Sequence, residues 1–319
     1  MSGARPGGRL PVTVIGGYLG TGKTTLVNRL LRAADGQRLA VLVNDFGATP
    51  IDRDLIVSSS GDTLEISGGC VCCSYGSDLM DTLMTLPEQR PDIERVVLET
   101  SGVALPGMVA SAVTLLPAYR IDGIVVMVDV ETVRTMADDA YLGDTITRQL
   151  AAADLVIANR CDLVDETSLQ ETLAWLATQS PAARLIPATR AEIAPDLLLG
   201  LRDGAAPRLS ATLTTPGAPD AASLYDSLEL DVPDDVDAAE LGQSLGAPGT
   251  GVLRAKGILN RGDGKPIALH VVGQRFEIDA APPGATPGKL VVIGLRARLD
   301  REAVARALQP SLSTSLRNA

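Results

Sequence analysis

The segment Gly17-Tyr18-Leu19-Gly20-Thr21-Gly22-Lys23-Thr24 fits the pattern GxxxxGK[ST] and is the most specific indication of the fold in this chain. It lies between a short apolar run, 12–15, and a run with helical spacing, 25–31, so a strand, a glycine-rich loop and a helix follow one another. Glycines let the backbone N–H groups of such a loop turn inward around a phosphate, and the start of the following helix favours an anion. We therefore predict a phosphate-binding loop.

The members of this loop have separate predicted roles. Lys23 is expected to reach the β- and γ-phosphates of a nucleotide, and the hydroxyl of Thr24 is placed to bind Mg²⁺. The residues assigned to nucleotide contact here are Gly17, Gly20, Thr21, Gly22, Lys23, Thr24 and Thr25. The alternative is a chance glycine-rich turn, which the strand-then-helix context disfavours.

Length and composition restrict the class of protein. The 319 residues suffice for one large domain and a smaller one, and with only 3% aromatic residues the cores must be built from aliphatic side chains. The net charge of −11 argues against a nucleic-acid partner. No apolar stretch approaches the roughly 20 residues of a membrane span, and the N-terminus resembles no signal peptide. We therefore expect no membrane partner and a cytoplasmic protein.

Apolar runs alternate with amphipathic stretches through the first two thirds of the chain. The apolar runs are 39–44, 95–99, 123–129, 155–159 and 184–187, and the amphipathic stretches are 78–86, 104–116, 131–150 and 166–178. This alternation, together with the phosphate loop, predicts an α/β fold of the P-loop NTPase type, a mostly parallel sheet with helices on both faces. Ligands of such sheets gather at the carboxyl ends of the strands.

The last third of the chain has a different organisation. Between 204 and 222 the composition shifts to Ala, Pro, Thr, Ser and Gly without periodicity, as in a linker. Beyond it, the pattern predicts a compact α+β unit with strands at 227–232, 251–259, 267–278 and 289–295 and helices at 235–245 and 300–308. The predicted domains are 1–203, a P-loop domain, and 223–319, a small α+β domain, joined by the linker 204–222.

Two polar segments follow apolar runs, where a nucleotide is expected to lie. In Glu99-Thr100-Ser101-Gly102, the carboxylate can hold Mg²⁺ and the N–H of Gly102 can contact the γ-phosphate. The segment Asn159-Arg160-Cys161-Asp162 resembles the NKxD element of GTPases. Asp162 can accept hydrogen bonds from guanine that adenine does not offer, so we predict GTP. The alternatives are an ordinary acidic turn for the first segment and a loop with a helix-capping Asp for the second.

Two neighbouring residues have less specific predictions. Arg160 replaces the usual lysine of NKxD, and its aliphatic stem is expected to lie over the base. Asp129 is expected only to end a core strand.

Three of the four cysteines fall within Cys70-Val71-Cys72-Cys73, directly after two glycines. Thiolates are soft donors suited to Zn²⁺, Co²⁺ or Cu⁺. Three sulfurs, from Cys70, Cys72 and Cys73, leave one tetrahedral position open, which suits metal transfer better than a closed structural site. Two alternatives remain: cysteines that pack as small hydrophobic residues, and a reversible redox switch.

Five segments in order resemble the CobW-type GTPases, a family of metallochaperones related to the nickel-insertion GTPases of urease and hydrogenase. The segments are Gly-Gly-Tyr-Leu-Gly-Thr-Gly-Lys-Thr-Thr, Asn-Asp-Phe-Gly, Gly-Cys-Val-Cys-Cys, Glu-Thr-Ser-Gly-Val-Ala-Leu-Pro and Asn-Arg-Cys-Asp-Leu. The stretch 251–257 is similar to the opening of that family's C-terminal domain.

The resemblance implies a set of site residues. Lys23 and Thr24 would lie at the phosphates and Mg²⁺, and Asn159 and Asp162 at guanine. The catalytic residues would be Lys23, Glu99 and Asp45. Cys70, Cys72 and Cys73 would bind a transition metal once GTP orders the neighbouring segments, with zinc and cobalt the usual cargoes of the family.

The chain departs from the family pattern at several positions. The family commonly has Asn-Glu-Phe-Gly-Glu where this chain has Asn44-Asp45-Phe46-Gly47-Ala48. Gly76 stands in place of an arginine, Leu105 in place of an aspartate and Arg160 in place of a lysine. No histidine-rich tract occurs in the linker.

Together these observations predict a GTP-driven metal carrier. GTP and Mg²⁺ would draw the 44–52 loop and the cysteine loop into one arrangement, and hydrolysis would release Zn²⁺ or Co²⁺ to a client metalloprotein. Slow intrinsic hydrolysis is expected, because no histidine and no obvious glutamine stands near the loop to position water. The alternatives are a nucleotide-gated scaffold without metal transfer and a nucleotide kinase. The assembly state is left open, with a homodimer as one option.

Overall fold

The structure is a computed structural model that describes residues 8–34, 37–44, 77–200, 224–234, 236–261, 265–282 and 284–309. Several predicted features lie outside these residues, namely Asp45, Ala48, Cys70, Cys72, Cys73, Gly76 and the linker 204–222. The borders predicted at 203 and 223 also fall outside the described ranges and stay predictions.

The first sheet has six strands in the order β2-β3-β1-β4-β5-β6, and every neighbouring pair is parallel. The strands are β1 Leu10–Gly16, β2 Leu39–Asn44, β3 Arg95–Thr100, β4 Tyr119–Asp129, β5 Leu155–Asn159 and β6 Arg184–Pro187. All residues of β3, β4 and β5 are buried, as expected for central strands of a parallel sheet that is covered on both faces.

Helices cover both faces of this sheet. They are α1 Lys23–Arg32, α2 Ser77–Gln89, α3 Pro106–Thr114, α4 Val133–Asp138, α5 Gly143–Ala151, α6 Glu166–Gln179 and α7 Pro195–Leu199. Side chains of α2 to α6 form one hydrophobic core, and those of α1 and α7 belong to a second core. The predicted α/β fold is confirmed.

Two predictions within this part need correction. β4 begins at Tyr119, four residues before the apolar run at 123, because the charged residues of its first half are paired and buried. The amphipathic stretch 131–150 is two helices, α4 and α5, rather than one. Asp139 separates them: its Oδ1 accepts hydrogen bonds from the N–H groups of Tyr141 (2.8 Å) and Leu142 (3.0 Å), which favours a turn over a continuous helix.

The second sheet has five strands in the order β10-β9-β8-β11-β7, all antiparallel to their neighbours. Its elements are β7 Tyr225–Asp231, α8 Ala238–Gly246, β8 Val252–Leu259, β9 Ile267–Val272, β10 Arg275–Ala280, β11 Lys289–Leu295 and α9 Arg301–Ala307. The single strand predicted at 267–278 is wrong. The chain turns at Gly273, where φ is 59°, and forms a β9–β10 hairpin.

The two sheets share a core and a buried charge cluster. Tyr225, Leu253 and Val272 of the second sheet pack with side chains of α1, α7 and the first sheet. Beside this core, Asp122 of β4 pairs with Arg120 and, across the boundary, with Arg254 of β8. This cluster lies at the amino end of β4, seven residues or about 23 Å of strand away from its carboxyl end.

Candidate functional site

The phosphate loop connects β1 to α1 and has the conformation that its glycines were expected to allow. Gly17 has φ of 130°, and a Cβ there would lie 2.2 Å from the carbonyl oxygen of Met127. Gly22 has φ of 103° directly before α1. The Nζ atom of Lys23 donates to the carbonyl oxygens of Gly17 (2.9 Å) and Tyr18 (3.0 Å), so the loop curls around the ammonium group.

The carboxyl end of β3 brings a carboxylate to this loop. Glu99 is only 5% exposed, and its Oε1 accepts a hydrogen bond of 3.1 Å from the hydroxyl of Thr24. Mg²⁺ takes octahedral oxygen ligands at about 2.0–2.1 Å, so neighbouring ligand oxygens lie about 3.0 Å apart. The Thr24–Glu99 pair therefore fits the ion in both atom type and spacing. Its role at Mg²⁺ stays a prediction.

The segment after β3 lies directly against the phosphate loop. A Cβ on Gly102 would stand 2.7 Å from the backbone nitrogen of Leu19, so only glycine fits between the two segments. The carbonyl groups of Gly102 and Ala104 accept hydrogen bonds from Nε2 of Gln149, at 3.0 and 2.8 Å. The sequence analysis missed Gln149. The available signal was an amide at an apolar position of α5, between Ile146 and Leu150.

Asn159, which was predicted to lie at the guanine, hydrogen-bonds to the backbone of two loops. Its Nδ2 donates to the carbonyl oxygen of Thr21 in the phosphate loop (2.9 Å), and its Oδ1 accepts from the N–H of Ala191 (2.8 Å). The NKxD-like segment is thereby held against the phosphate loop on one side and against the turn after β6 on the other.

Arg160 also contacts the phosphate loop, which was not expected from the sequence. It has a left-handed backbone, with φ of 64°. Its guanidinium donates to Oδ2 of Asp129 (2.5 Å) and to the carbonyl oxygen of Gly20 (2.8 Å). Asp129 does end β4, as predicted, and in addition it holds the arginine.

The remaining residues of the segment have simpler surroundings. Asp162 lies in a short 3₁₀ turn, Cys161–Leu163, and is exposed. Cys161 is half-buried and its thiol contacts the carbonyl oxygen of Ala158 at 3.1 Å. Burial raises the pKa of Cys161, which disfavours the thiolate form that binds metals.

The turn after β6 was also missed by the sequence analysis. Arg190 and Ala191 both have left-handed backbones, with φ of 52° and 57°. Glu192 follows and pairs with Arg29 of α1 at 3.1 Å. The residue types give no signal for this turn, because left-handed backbone is unusual outside glycine and asparagine.

Two kinds of site are absent from the described ranges. No helix there has the length and apolar character required to cross a bilayer. Within the same ranges, no three His, Cys, Asp or Glu side chains are grouped so that they could hold a metal ion.

The glycine loop, the Thr24–Glu99 pair and the parallel sheet together define a P-loop nucleotide-binding protein. Residues 11–187 match the sequence model of the family described as CobW/HypB/UreG, nucleotide-binding domain, and residues 225–312 match the Cobalamin synthesis protein cobW C-terminal domain. The chain belongs to this family, which confirms the resemblance noted from the sequence and the predicted class, a P-loop GTPase.

Similar proteins extend over nearly the whole chain. A protein of Pseudomonas aeruginosa named Zinc chaperone CobW is 32% identical, over 96% of this chain and 92% of its own length. One of the same name from a Sinorhizobium species is 30% identical, over 94% of this chain and 97% of its own. Among solved structures, the Zn(II)-bound YjiA GTPase from E. coli is 22% identical with a TM-score of 0.46, covering 94% of this chain and 99% of that one.

Proposed function

We propose that the protein binds and hydrolyses GTP and uses this cycle to carry a transition metal ion, Zn²⁺ or Co²⁺, to a client metalloprotein. The observation that carries the proposal is the 3.1 Å contact between Thr24 and Glu99, because it joins an oxygen pair suited to Mg²⁺ to a loop suited to phosphates. The relatives named zinc chaperones favour zinc as the cargo.

The phosphate end of the nucleotide would be held by residues that already face one another. Thr24 and Glu99 would hold Mg²⁺, which supplies positive charge to the phosphate oxygens when it is bound. Lys23 would exchange its contacts with two loop carbonyls for phosphate oxygens, because the ammonium group bonds more strongly to an anionic oxygen than to a neutral carbonyl oxygen. Gly102 would present its backbone N–H to the γ-phosphate from the other side of the loop.

The base would be recognised by the segment after β5. The exposed carboxylate of Asp162 can accept from the N1–H and the exocyclic amine of guanine. Asn159 and Arg160 would act through the backbone, because both hold carbonyl groups of the phosphate loop. The phosphate and base subsites would thus keep a fixed spacing.

Asp162→Asn tests the base assignment. The variant should bind GTP at least about tenfold more weakly and gain affinity for XTP, because an amide can donate to the C2 carbonyl of xanthine. An unchanged preference for GTP over XTP would remove Asp162 from the base site.

The metal would be bound by thiolates that lie outside the described residues. Cys70, Cys72 and Cys73 supply three soft donors, and the loop containing Asp45 would respond to the γ-phosphate. If the nucleotide changes metal affinity, the metal must change nucleotide affinity by the same factor.

Metal titration of the reduced protein tests the metal part of the proposal. Zn²⁺ and Co²⁺ affinities are measured against a chromophoric chelator with no nucleotide, with GDP and with a non-hydrolysable GTP analogue. We expect the analogue to tighten binding about tenfold or more. The paired change Cys72→Ser with Cys73→Ser should abolish the site, whereas Cys161→Ser should leave it intact.

Two results of this titration would count against the carrier. Equal metal affinity in all three nucleotide states would leave a nucleotide switch without coupled metal binding. Metal held equally well by the Cys72→Ser, Cys73→Ser protein would place the ion elsewhere.

A further inference from the structure

Gln149 is a buried amide whose side chain donates to the segment after β3. The residue is 1% exposed, and its Nε2 group donates to the carbonyl oxygens of Gly102 (3.0 Å) and Ala104 (2.8 Å). An NH₂ group has two hydrogens, so one side chain can satisfy both carbonyl groups at once.

This amide occupies a position at which an apolar side chain would serve the core equally well. Its neighbours on the buried face of α5, Ile146 and Leu150, belong to the hydrophobic core on that side of the sheet. A polar group at such a position is desolvated and is stable only with hydrogen-bond partners. At this position glutamine therefore differs from leucine in that it can donate hydrogen bonds to the two carbonyl groups.

Both peptide planes that flank Gly102 are fixed. The plane between Ser101 and Gly102 is set by the bond from the N–H of Ala104 to the carbonyl oxygen of Ser101 (3.1 Å). The plane between Gly102 and Val103 is set by Gln149, which holds the carbonyl oxygen of Gly102. Because peptide units are planar, the first bond fixes the direction of the N–H of Gly102. The bond from Gln149 fixes the plane on the other side of the Cα of Gly102, so the two planes cannot rotate relative to each other about that atom.

The helix that carries Gln149 is itself anchored at its C-terminal end. The hydroxyl of Ser180 donates to the carbonyl oxygen of Leu150 at 2.8 Å. Gly107 in α3 approaches α5 so closely that a Cβ there would stand 3.0 Å from the Cβ of Ala152. Gln149 therefore bonds to the Gly102 segment from a helix that is itself held in place by these contacts.

We propose that Gln149 is the positioning residue for the nucleotide's γ-phosphate: from α5 it fixes the backbone of Gly102 against the phosphate loop, and so sets the preference for GTP over GDP. The inference rests on the proposed contact of Gly102 with the γ-phosphate. It adds a residue from a helix that carries none of the nucleotide-binding motifs, and it connects α5 to the nucleotide state.

The test compares two variants of adjacent residues in α5. Gln149→Met keeps the length and volume of the side chain and removes the donor, whereas Arg148→Ala changes an exposed residue that pairs with Asp144 of the same helix. Affinities for GDP and for a non-hydrolysable GTP analogue are measured with Mg²⁺, together with single-turnover GTP hydrolysis. Thermal unfolding checks that each variant is folded.

We expect Gln149→Met to bind GDP within about twofold of the native protein and the GTP analogue about tenfold more weakly, with hydrolysis slowed by a similar factor. Arg148→Ala should match the native protein in all three. Gln149→Asn retains an amide but is one methylene too short to reach both carbonyl groups, so it should behave like Gln149→Met. It replaces Gln149→Met in the comparison if that variant does not fold.

The outcomes separate this inference from the proposed function. An unchanged ratio of GTP to GDP affinity in the folded Gln149 variants would overturn the positioning role and leave the GTPase intact. An equal loss of affinity for both nucleotides would also overturn it, since it would indicate general damage to the loop. If the native protein does not bind the GTP analogue, the proposed function fails and the positioning role fails with it.

Discussion

Gly102 shows how little space separates the two segments of the phosphate site. A Cβ at this position would meet the backbone nitrogen of Leu19 at 2.7 Å, and backbone atoms cannot yield as a flexible side chain does. Gly102→Ala should therefore displace the phosphate loop, weakening GDP and GTP binding at least about tenfold and lowering the free energy of unfolding by about 1–3 kcal/mol.

The control for this prediction is the next residue. Val103→Ala removes part of a side chain that is 38% exposed, so nucleotide affinity should stay within about twofold of the native protein. Isothermal titration with GDP compares the two. Native-like affinity in Gly102→Ala would mean that the two segments are not in contact in solution.

Arg160 and Asp129 form a second residue-scale link, between the base segment and the phosphate loop. One guanidinium bonds both the carboxylate of Asp129 and the carbonyl of Gly20, which a planar five-donor group can do without bending. A double-mutant cycle with Arg160→Met and Asp129→Asn should give a coupling of about 1 kcal/mol in the free energy of GDP binding. Additive effects would mean that the ion pair does not order the loop.

At the scale of elements, the ranges of strands that are apolar throughout were predicted correctly from the sequence. The range of a strand that contains buried, paired charges was not. β2 and β11 match their predicted ranges because each is a continuous or alternating apolar run. The first half of β4 was missed because Arg120 and Asp122 interrupt its apolar pattern. Their burial depends on Arg254, 132 residues later in the chain, which a local pattern cannot indicate.

The candidate site follows the same division. Lys23, Thr24 and Glu99 were predicted because their chemistry requires fixed spacing along the chain or a fixed place after a strand, and the structure places them around one loop. Gln149 acts on Gly102 from 47 residues away, and Asp129 on Arg160 from 31 residues away. These pairs are set by the packing of helices and strands on the sheet, so residue types alone gave no reason to select them.

The β9–β10 hairpin supplies an element-scale prediction. Its turn residue Gly273 has φ of 59°, and a Cβ there would lie 2.5 Å from the carbonyl oxygen of Asp154, the residue before β5. Gly249 has φ of 89° with open space around it. Alanine at either position incurs the cost of left-handed backbone, about 1 kcal/mol, but only Gly273→Ala also forces the hairpin away from its neighbour.

Urea unfolding of the two variants separates these contributions. Gly273→Ala should lose about 1–3 kcal/mol more than Gly249→Ala. Equal losses would mean that the hairpin tip adjusts without cost and does not fix the second sheet.

On the scale of the whole molecule, the two sheets are joined at the end of β4 that is remote from the nucleotide loop. The shared core and the Asp122 cluster hold the second sheet to strands of the first sheet, whereas the loops predicted to contact nucleotide extend from the opposite ends of those strands. Local rearrangement of the loops therefore need not disturb the contact between the sheets. The second sheet is expected to keep its place on the first in every nucleotide state.

Asp122 is the residue on which this junction depends. It is fully buried and pairs with Arg95 (2.5 Å), Arg120 (2.9 Å) and Arg254. Burial alone would raise the pKa of Asp122, but the three guanidinium charges outweigh it and hold the pKa well below its usual range. Burial lowers the pKa of Arg95 to about 10, which still leaves it charged at neutral pH.

Asp122→Asn should remove the carboxylate charge that these three arginines share, and lower the free energy of unfolding at pH 7 by about 3–5 kcal/mol. A carboxylate whose pKa is lower in the folded state stabilises the protein above its unfolded pKa, near pH 4, and loses that contribution as the pH falls through the folded value. The difference between native and variant proteins should therefore be constant from pH 8 to about pH 5 and shrink below pH 4. Urea titrations across this range measure it, with the exposed Asp144→Asn as control. A difference below about 1 kcal/mol at pH 7, or one that does not change in acid, would mean that the carboxylate does not hold the two sheets together.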